Sequence, residues 1–252
     1  MSLTEIEVLF EGTTEENVLN QLRNDVTYGG AVTRSRICQQ TIKLTSAGGQ
    51  GNLPRKLQAI LKDLPLSPEV TKRLLVVWDL DNHEVSARCG SVIDVVKKVA
   101  PGAYLEPLAG FDNVYVLRSG PENLRLGLHV SCHRYDDSFC KATTDDYVLK
   151  LALRESTASK LLEDCKRNKP DWTITSTQLI NKITREIPAL LKANGIPSLP
   201  EAKEFVRFYA AVLSLHTSPA VFAAKTLHHA EETDIKEIFA PLLAAIQHLE
   251  TA

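Results

Sequence analysis

The stretch of residues 73–84 constrains the possible folds of this chain more than any other. An unbroken apolar run, residues 74–78, leads directly into Asp79 and Asp81, two carboxylates separated by one residue. A short continuous apolar run of this kind predicts a strand buried on both faces, as found in parallel sheets. Ligands of such sheets bind at the carboxyl ends of the strands, so the position of the two carboxylates indicates a functional site.

Asp79 and Asp81 are predicted to act together. Side chains alternate along a strand, so both carboxylates are expected to project to the same side of the sheet. Two carboxylates held that close repel each other unless a proton or a cation lies between them. A hard divalent cation is the simplest candidate, because such ions prefer oxygen ligands.

A third carboxylate is predicted to lie nearby. Residues 5–10 are predicted to form a first strand, and Glu11 and Gly12 follow it directly. Thr13 and Glu16 have the spacing of a capping box, and apolar residues at helical spacing come next. This strand–turn–helix pattern places Glu11 at the carboxyl end of a strand, beside a helix N-terminus that favours anionic ligands such as phosphate.

The hydrophobic periodicity divides the chain into two parts. Residues 1–142 alternate strand-like and helix-like segments, which predicts an α/β domain with a mostly parallel sheet flanked by helices. Residues 143–252 show helical periodicity, which predicts an all-helical C-terminal domain. These helices are the candidate surface for forming a homo-oligomer or for docking a partner protein.

The composition narrows the possible partners and location. Lys and Arg number 29 against 31 for Asp and Glu, a formal net charge of −2, so no global attraction to nucleic acid follows. We expect no membrane span, because no apolar stretch approaches the ~20 residues required, and the first residues lack the pattern of a signal peptide. The five cysteines include no CxxC pair, which favours a reduced, cytoplasmic protein.

Four potential zinc ligands lie near one another in the sequence. They are His129, Cys132, His133 and Cys140. Their spacing matches no regular zinc-binding pattern, so we interpret them as incidental polar residues of a strand region.

The order of these motifs resembles the Toprim family, the catalytic domain shared by topoisomerases, bacterial primases and nucleases of the overcoming-lysogenization-defect class. The matching segments are Val-Leu-Phe-Glu-Gly at residues 8–12 and Leu-Val-Val-Trp-Asp-Leu-Asp at residues 75–81. The resemblance covers about the first half of the chain. It implies a Toprim-like α/β fold for residues 1–142.

The resemblance also implies a chemistry. Asp79 and Asp81 would hold Mg²⁺ or Mn²⁺, and Glu11, on a neighbouring strand end, would be a third ligand or a general acid/base. Gly12 would belong to the same binding site, and Asp145 is a candidate ligand for a second ion. The implied function is a divalent-metal-dependent nuclease, or a related phosphotransferase, acting on the phosphodiesters of DNA or RNA.

Two alternatives stay open. Residues 77–82 also look like the nucleophile motif of haloacid-dehalogenase phosphatases, in which Asp79 would attack phosphate and Asp81 would be the general acid/base. The third hypothesis is a Toprim-like module without catalytic activity that serves as a binding subunit of a larger complex.

Overall fold

Strands and helices are mixed up to residue 131, and the elements described after residue 143 are all helical. The computed structural model describes residues 5–28, 31–64, 70–167, 169–196 and 199–251. The first half contains β1 (Glu5–Phe10), α1 (Thr13–Arg23), β2 (Val26–Tyr28), β3 (Ala31–Arg34), β4 (Thr41–Ser46), α2 (Leu53–Lys62), β5 (Lys72–Asp79), α3 (Val85–Val96), β6 (Tyr104–Pro107), β7 (Val114–Arg118) and β8 (Leu124–Ser131). The second half contains α4 (Thr144–Ala152), α5 (Glu155–Lys166), α6 (Ser176–Asn181), a π-helical turn (Lys182–Glu186), α7 (Ile187–Ala193), α8 (Ala202–Val212), α9 (Pro219–His229), α10 (Glu232–Ile238) and α11 (Ala240–Thr251). Within the described ranges, no helix has the length and apolar character needed to cross a membrane.

The central sheet is mostly parallel, as predicted. Its strands lie in the order β4-β1-β5-β8-β7-β6. The first four strands in this order are parallel neighbours, whereas β7 runs antiparallel to both β8 and β6. The short strands β2 and β3 form a separate antiparallel pair.

Both faces of β5 are buried, which explains its apolar run. On one face, Leu74, Val76 and Trp78 pack with α2 and α3. On the other face, Leu75 and Val77 pack with α1 and with helices of the second half. The period-2 geometry of a strand sends successive side chains into these two different cores.

The helices of the second half form the layer over one face of the sheet. Helix α11 packs on β5, β7 and β8, and α9 packs on α1. One continuous hydrophobic core joins these helices to the sheet. The helical second half begins with α4 at Thr144, and the hydrophobic core continues from the sheet into it.

Candidate functional site

The sheet brings Glu11 and Asp79 to the same edge. Strands β1 and β5 are parallel neighbours, and Phe10 is in register with Val77. Glu11 and Gly12 follow β1 directly, and Asp79 is the last residue of β5. The predicted strand-end motifs therefore lie side by side.

Asp79 is held by the first turn of α4. Its Oδ1 accepts hydrogen bonds from the backbone N–H and from the hydroxyl of Thr144, each at 2.8 Å. Ser131, which is in register with Asp79 on β8, has its Oγ 3.1 Å from that hydroxyl oxygen. Burial raises the pKa of Asp79 well above its usual value, and the nearby Glu15 carboxylate raises it further, while the Thr144 hydrogen bonds oppose this change.

Asp81 has different surroundings from Asp79. Its backbone is left-handed, with a φ of 56°, and it pairs with Ala142 through two backbone hydrogen bonds. Its Oδ2 accepts a hydrogen bond at 2.8 Å from the buried Arg88 of α3, whose guanidinium stacks over the Trp78 ring. The two aspartates therefore have different hydrogen-bond partners. The strand ends at Asp79, so its alternation does not extend to Asp81.

Glu11 is half-buried among other charged groups. Burial raises its pKa to about 7, with further increases from the charges of Asp81 and Glu15, whereas Arg88 and Trp78 lower it. Glu11 Oε2 and Trp78 Nε1 are both buried, and neither makes a hydrogen bond of normal geometry among the described residues, although the Trp78 N–H lies close enough to the Glu11 carboxyl group to lower its pKa. Burying an ionised carboxylate without a full hydrogen bond is unfavourable, and either a proton or a bound cation would relieve this cost.

Glu15 is a site residue that the sequence analysis missed. Helix α1 begins at Thr13 with Gly12 as its N-cap, and the Gly12 N–H donates to Glu15 Oε2 at 3.0 Å. The predicted capping box of Thr13 and Glu16 is therefore wrong by one residue. Glu15 is 4% exposed, and its charge raises the pKa values of three neighbouring carboxyl groups. These are Glu11, Asp79 and Asp145.

Asp145 reaches the same region from α4. It is buried and accepts a hydrogen bond from the Thr14 hydroxyl at 3.4 Å. Burial, followed by the charge of Glu15, raises the pKa of Asp145 to about 6, and Lys203 lowers it. The residue predicted as a ligand for a second ion therefore lies beside Glu15.

The chemistry of these side chains fits a hard divalent cation. We call the five of them the carboxylate cluster: Glu11, Glu15, Asp79, Asp81 and Asp145. All of its donors are oxygens, which Mg²⁺ and Mn²⁺ prefer. Burial raises the pKa values of three members, Glu11, Asp79 and Asp145, and the charge of Glu15 raises each of them further.

The carboxylate cluster is spread out in this structure. The atoms that bind one ion must lie close together. Among the described residues, one group of three His, Cys, Asp or Glu side chains has all its ligand atoms within 4.8 Å of one another, and it is not part of the carboxylate cluster. That group is Asp112, Cys132 and His133. Arg88 holds Asp81 toward α3. Binding of one ion by Glu11, Asp79 and Asp81 therefore requires side-chain movement.

Comparison with known proteins supports the fold and leaves the function open. No protein-family model matches the chain, and no curated protein sequence matches it. The chain is similar to the crystal structure of hypothetical protein PH0156 from Pyrococcus horikoshii OT3, with a TM-score of 0.58 and 14% sequence identity over 98% of each chain. This similarity shows that the whole arrangement, including the helical second half, occurs in another protein.

Proposed function

We propose that this chain is a divalent-metal-dependent nuclease, or a related phosphotransferase, that acts on nucleic-acid phosphodiesters through a Toprim-like site. The observation that carries the proposal is the meeting of Glu11 and Asp79 at the ends of two neighbouring parallel strands. These strands are the ones that end in the Glu-Gly and Asp-x-Asp segments. Two further carboxylates, Glu15 and Asp145, lie beside them in the first turns of α1 and α4.

Mg²⁺ or Mn²⁺ is the proposed cofactor. Glu11, Asp79 and Asp81 would hold it, and Asp145 is available for a second ion. When bound, the ion would neutralise charge on the phosphodiester and orient the attacking oxygen. The positive ends of α1 and α4 stabilise the acidic side chains in their first turns. Gly12 contributes indirectly, because its N–H positions Glu15.

Two members of the carboxylate cluster have properties that suit different roles. Glu11, with a pKa of about 7, can hold or release a proton near neutral pH, as general acid/base catalysis requires. Asp79 is fixed by two hydrogen bonds from Thr144, which suits a ligand that must keep its orientation.

Cationic side chains flank the cluster and support a polyanionic substrate. Lys141 is close enough to Asp81 for their charges to interact, and it also forms an ion pair with Glu201 at 2.8 Å. The exposed Lys203 interacts in the same way with Asp145. In a chain with a net charge of −2, such cations provide a local attraction for a phosphate backbone.

The test of this proposal is cleavage of labelled DNA and RNA, single- and double-stranded, in Mg²⁺, Mn²⁺ or EDTA. The wild type should cleave at least one of these substrates only when the ion is present. The double variant Asp79→Asn/Asp81→Asn should lose this activity, whereas Asp94→Asn, which changes an exposed aspartate of α3, should cleave like the wild type. Undiminished cleavage by the double variant would contradict the proposal.

The alternatives predict different results in the same preparation. A haloacid-dehalogenase-like phosphatase would form a beryllium fluoride adduct on Asp79, which fluorine NMR detects, and the Asp79→Asn variant would not. A Toprim-like binding module would show neither cleavage nor an adduct.

A further inference from the structure

A second group of potential metal ligands lies at the end of β8. Cys132 and His133 follow this strand directly, and Asp112 lies just before β7. Strands β7 and β8 are antiparallel neighbours, so the start of β7 meets the end of β8. The sheet thereby joins residues from two separate loops, which we call the Asp–Cys–His group.

The spacing within the Asp–Cys–His group suits a single ion. The three ligand atoms all lie within 4.8 Å of one another. His133 Nε2 and Asp112 Oδ1 are 3.1 Å apart. Two ligands bound at ~2.0 Å in a tetrahedral zinc site are separated by ~3.3 Å. A hydrogen bond between His133 and Asp112 accounts for their distance, but it does not account for the thiol of Cys132 beside both of them.

Neighbouring tyrosines hold two of these ligands in position. The hydroxyl oxygen of Tyr147 lies 3.2 Å from His133 Nδ1, which leaves Nε2 to face Asp112. The hydroxyl of Tyr115 donates a hydrogen bond at 2.9 Å to the backbone carbonyl of Asp112. Histidines that bind metals typically have their second ring nitrogen held in this way.

We propose that Asp112, Cys132 and His133 form a binding site for a divalent transition metal of the Zn²⁺ type. Thiolate and imidazole ligands select such metals over Mg²⁺, in contrast to the all-oxygen carboxylate cluster. The side chains of Asp112 and His133 are 79% and 41% exposed. A fourth position is therefore open to water or to an external ligand, as in zinc sites that keep an open position.

The Asp–Cys–His group lies at the same edge of the sheet as the carboxylate cluster but is separate from it. Cys132 directly follows Ser131, the β8 residue in register with Asp79. The two groups share no ligand. The proposal is therefore independent of the proposed nuclease function and can be tested without any measurement of activity.

Titration with Co²⁺ tests the site through its absorption spectrum. One equivalent of Co²⁺ should produce a sulfur-to-cobalt charge-transfer band and the strong visible bands of a tetrahedral ion, and Zn²⁺ should remove both. Cys132→Ser should abolish the charge-transfer band, and His133→Ala and Asp112→Asn should each weaken binding at least about tenfold. Cys140→Ser, which changes an exposed cysteine outside the group, should leave the charge-transfer band unchanged.

A measurement on the wild type covers the case in which a variant fails to fold. Alkylation of the cysteines by iodoacetamide can be measured by mass spectrometry of the peptides. Zn²⁺ should slow alkylation of Cys132 and leave alkylation of Cys140 unchanged. Three results would each overturn the proposal. The wild type would show no charge-transfer band, folded Cys132→Ser would keep the band, or Cys132 would be alkylated equally with and without Zn²⁺.

Discussion

Asp79 Oδ1 and Thr144 are joined by two hydrogen bonds, one from the backbone N–H and one from the hydroxyl, each 2.8 Å long. Asp79 ends the central strand β5, whereas Thr144 is the first residue of α4 and of the helical second half. The contact therefore makes the start of the helical half a structural part of the carboxylate cluster.

We predict that Thr144→Val weakens both stability and activity. The substitution keeps the shape of the side chain but removes one donor to a buried carboxyl group, so it should lower the free energy of unfolding by about 1–2 kcal/mol. Because Asp79 also loses part of its orientation, ion-dependent cleavage should fall by about tenfold or more. Urea unfolding and initial cleavage rates measure the two effects.

Thr144→Ser is the matched control for this prediction. Serine keeps the hydroxyl, so this variant should retain most of the cleavage rate. Equal cleavage rates for the Ser and Val variants would contradict the role given to the Thr144 hydroxyl.

The second prediction concerns the relation between the two halves of the chain. A fragment of residues 1–142 lacks α4–α11, which cover one face of the sheet and share its core. It should expose a large apolar surface and bind a hydrophobic dye, while the full chain should unfold in one cooperative transition. Leu249→Ala, in the helix that packs on β5 and β8, should lower the stability of the whole chain by about 2–4 kcal/mol.

A soluble fragment of residues 1–142 with a cooperative unfolding transition of its own would contradict this picture. It would instead support two independently folding domains with a boundary between residues 142 and 143.

The buried strands β5 and β8 could be predicted from the sequence, whereas β3 and β6 could not. Strand β5 has an unbroken apolar run because both of its faces are covered, and β8 is buried along most of its length. Strand β6 and the described residues of β3 are mostly exposed, so their sequences carry no apolar period. The packing of the C-terminal helices on the sheet depends on long-range contacts that periodicity does not specify.

The site could be predicted in part. Glu11 and Asp79 follow apolar strands, and this local signal located both of them. Glu15 was missed because Gly12 and Thr13 are both acceptable N-caps. The choice between them decides whether Glu15 or Glu16 accepts the hydrogen bond from the N-cap backbone N–H. The ion pair of Asp81 with Arg88 depends on a backbone turn that residue spacing does not reveal.

The third prediction uses the raised pKa of Glu11. An acid whose pKa is raised to about 7 in the folded state binds more protons there than in the unfolded chain, so its contribution to stability is lost as pH rises from about 4.5 to about 7. Relative to the wild type in EDTA, Glu11→Gln should therefore gain about 1–2 kcal/mol of unfolding free energy between pH 5 and pH 8, a value reduced for partial solvent exposure.

The wild type must be compared with Glu11→Gln because other titratable groups change the stability with pH in the opposite direction. The pKa of buried His129, for example, is lowered to about 3, which makes stability rise with pH. Chemical denaturation at several pH values measures the difference between the two proteins. A difference that does not change with pH would show that Glu11 is ionised in the ordinary range.

The fourth prediction is a pair of glycine substitutions. In Gly12→Ala the new Cβ would lie 3.2 Å from Glu15 Oε2, so the glutamate must shift, and the variant should lose about 1 kcal/mol of stability together with part of its affinity for Mn²⁺. Gly90→Ala, inside α3, meets no atom within 4 Å. It should gain about 0.5–1 kcal/mol from helix propensity alone. Thermal unfolding of both variants checks the pair, and a stabilised Gly12→Ala would contradict the positioning of Glu15 by Gly12.

Binding of Mn²⁺ to the carboxylate cluster is the measurement that tests the central claim most directly. The electron paramagnetic resonance signal of free Mn²⁺ reports how much of the ion is bound, and it should show binding by the wild type. The affinity for Mn²⁺ should be at least about tenfold lower in both Glu11→Gln and Asp79→Asn, and it should be unchanged in Asp94→Asn. This result would show that the ends of β1 and β5 form one cation site. Equal Mn²⁺ affinities for all four proteins, or no binding by the wild type, would contradict it.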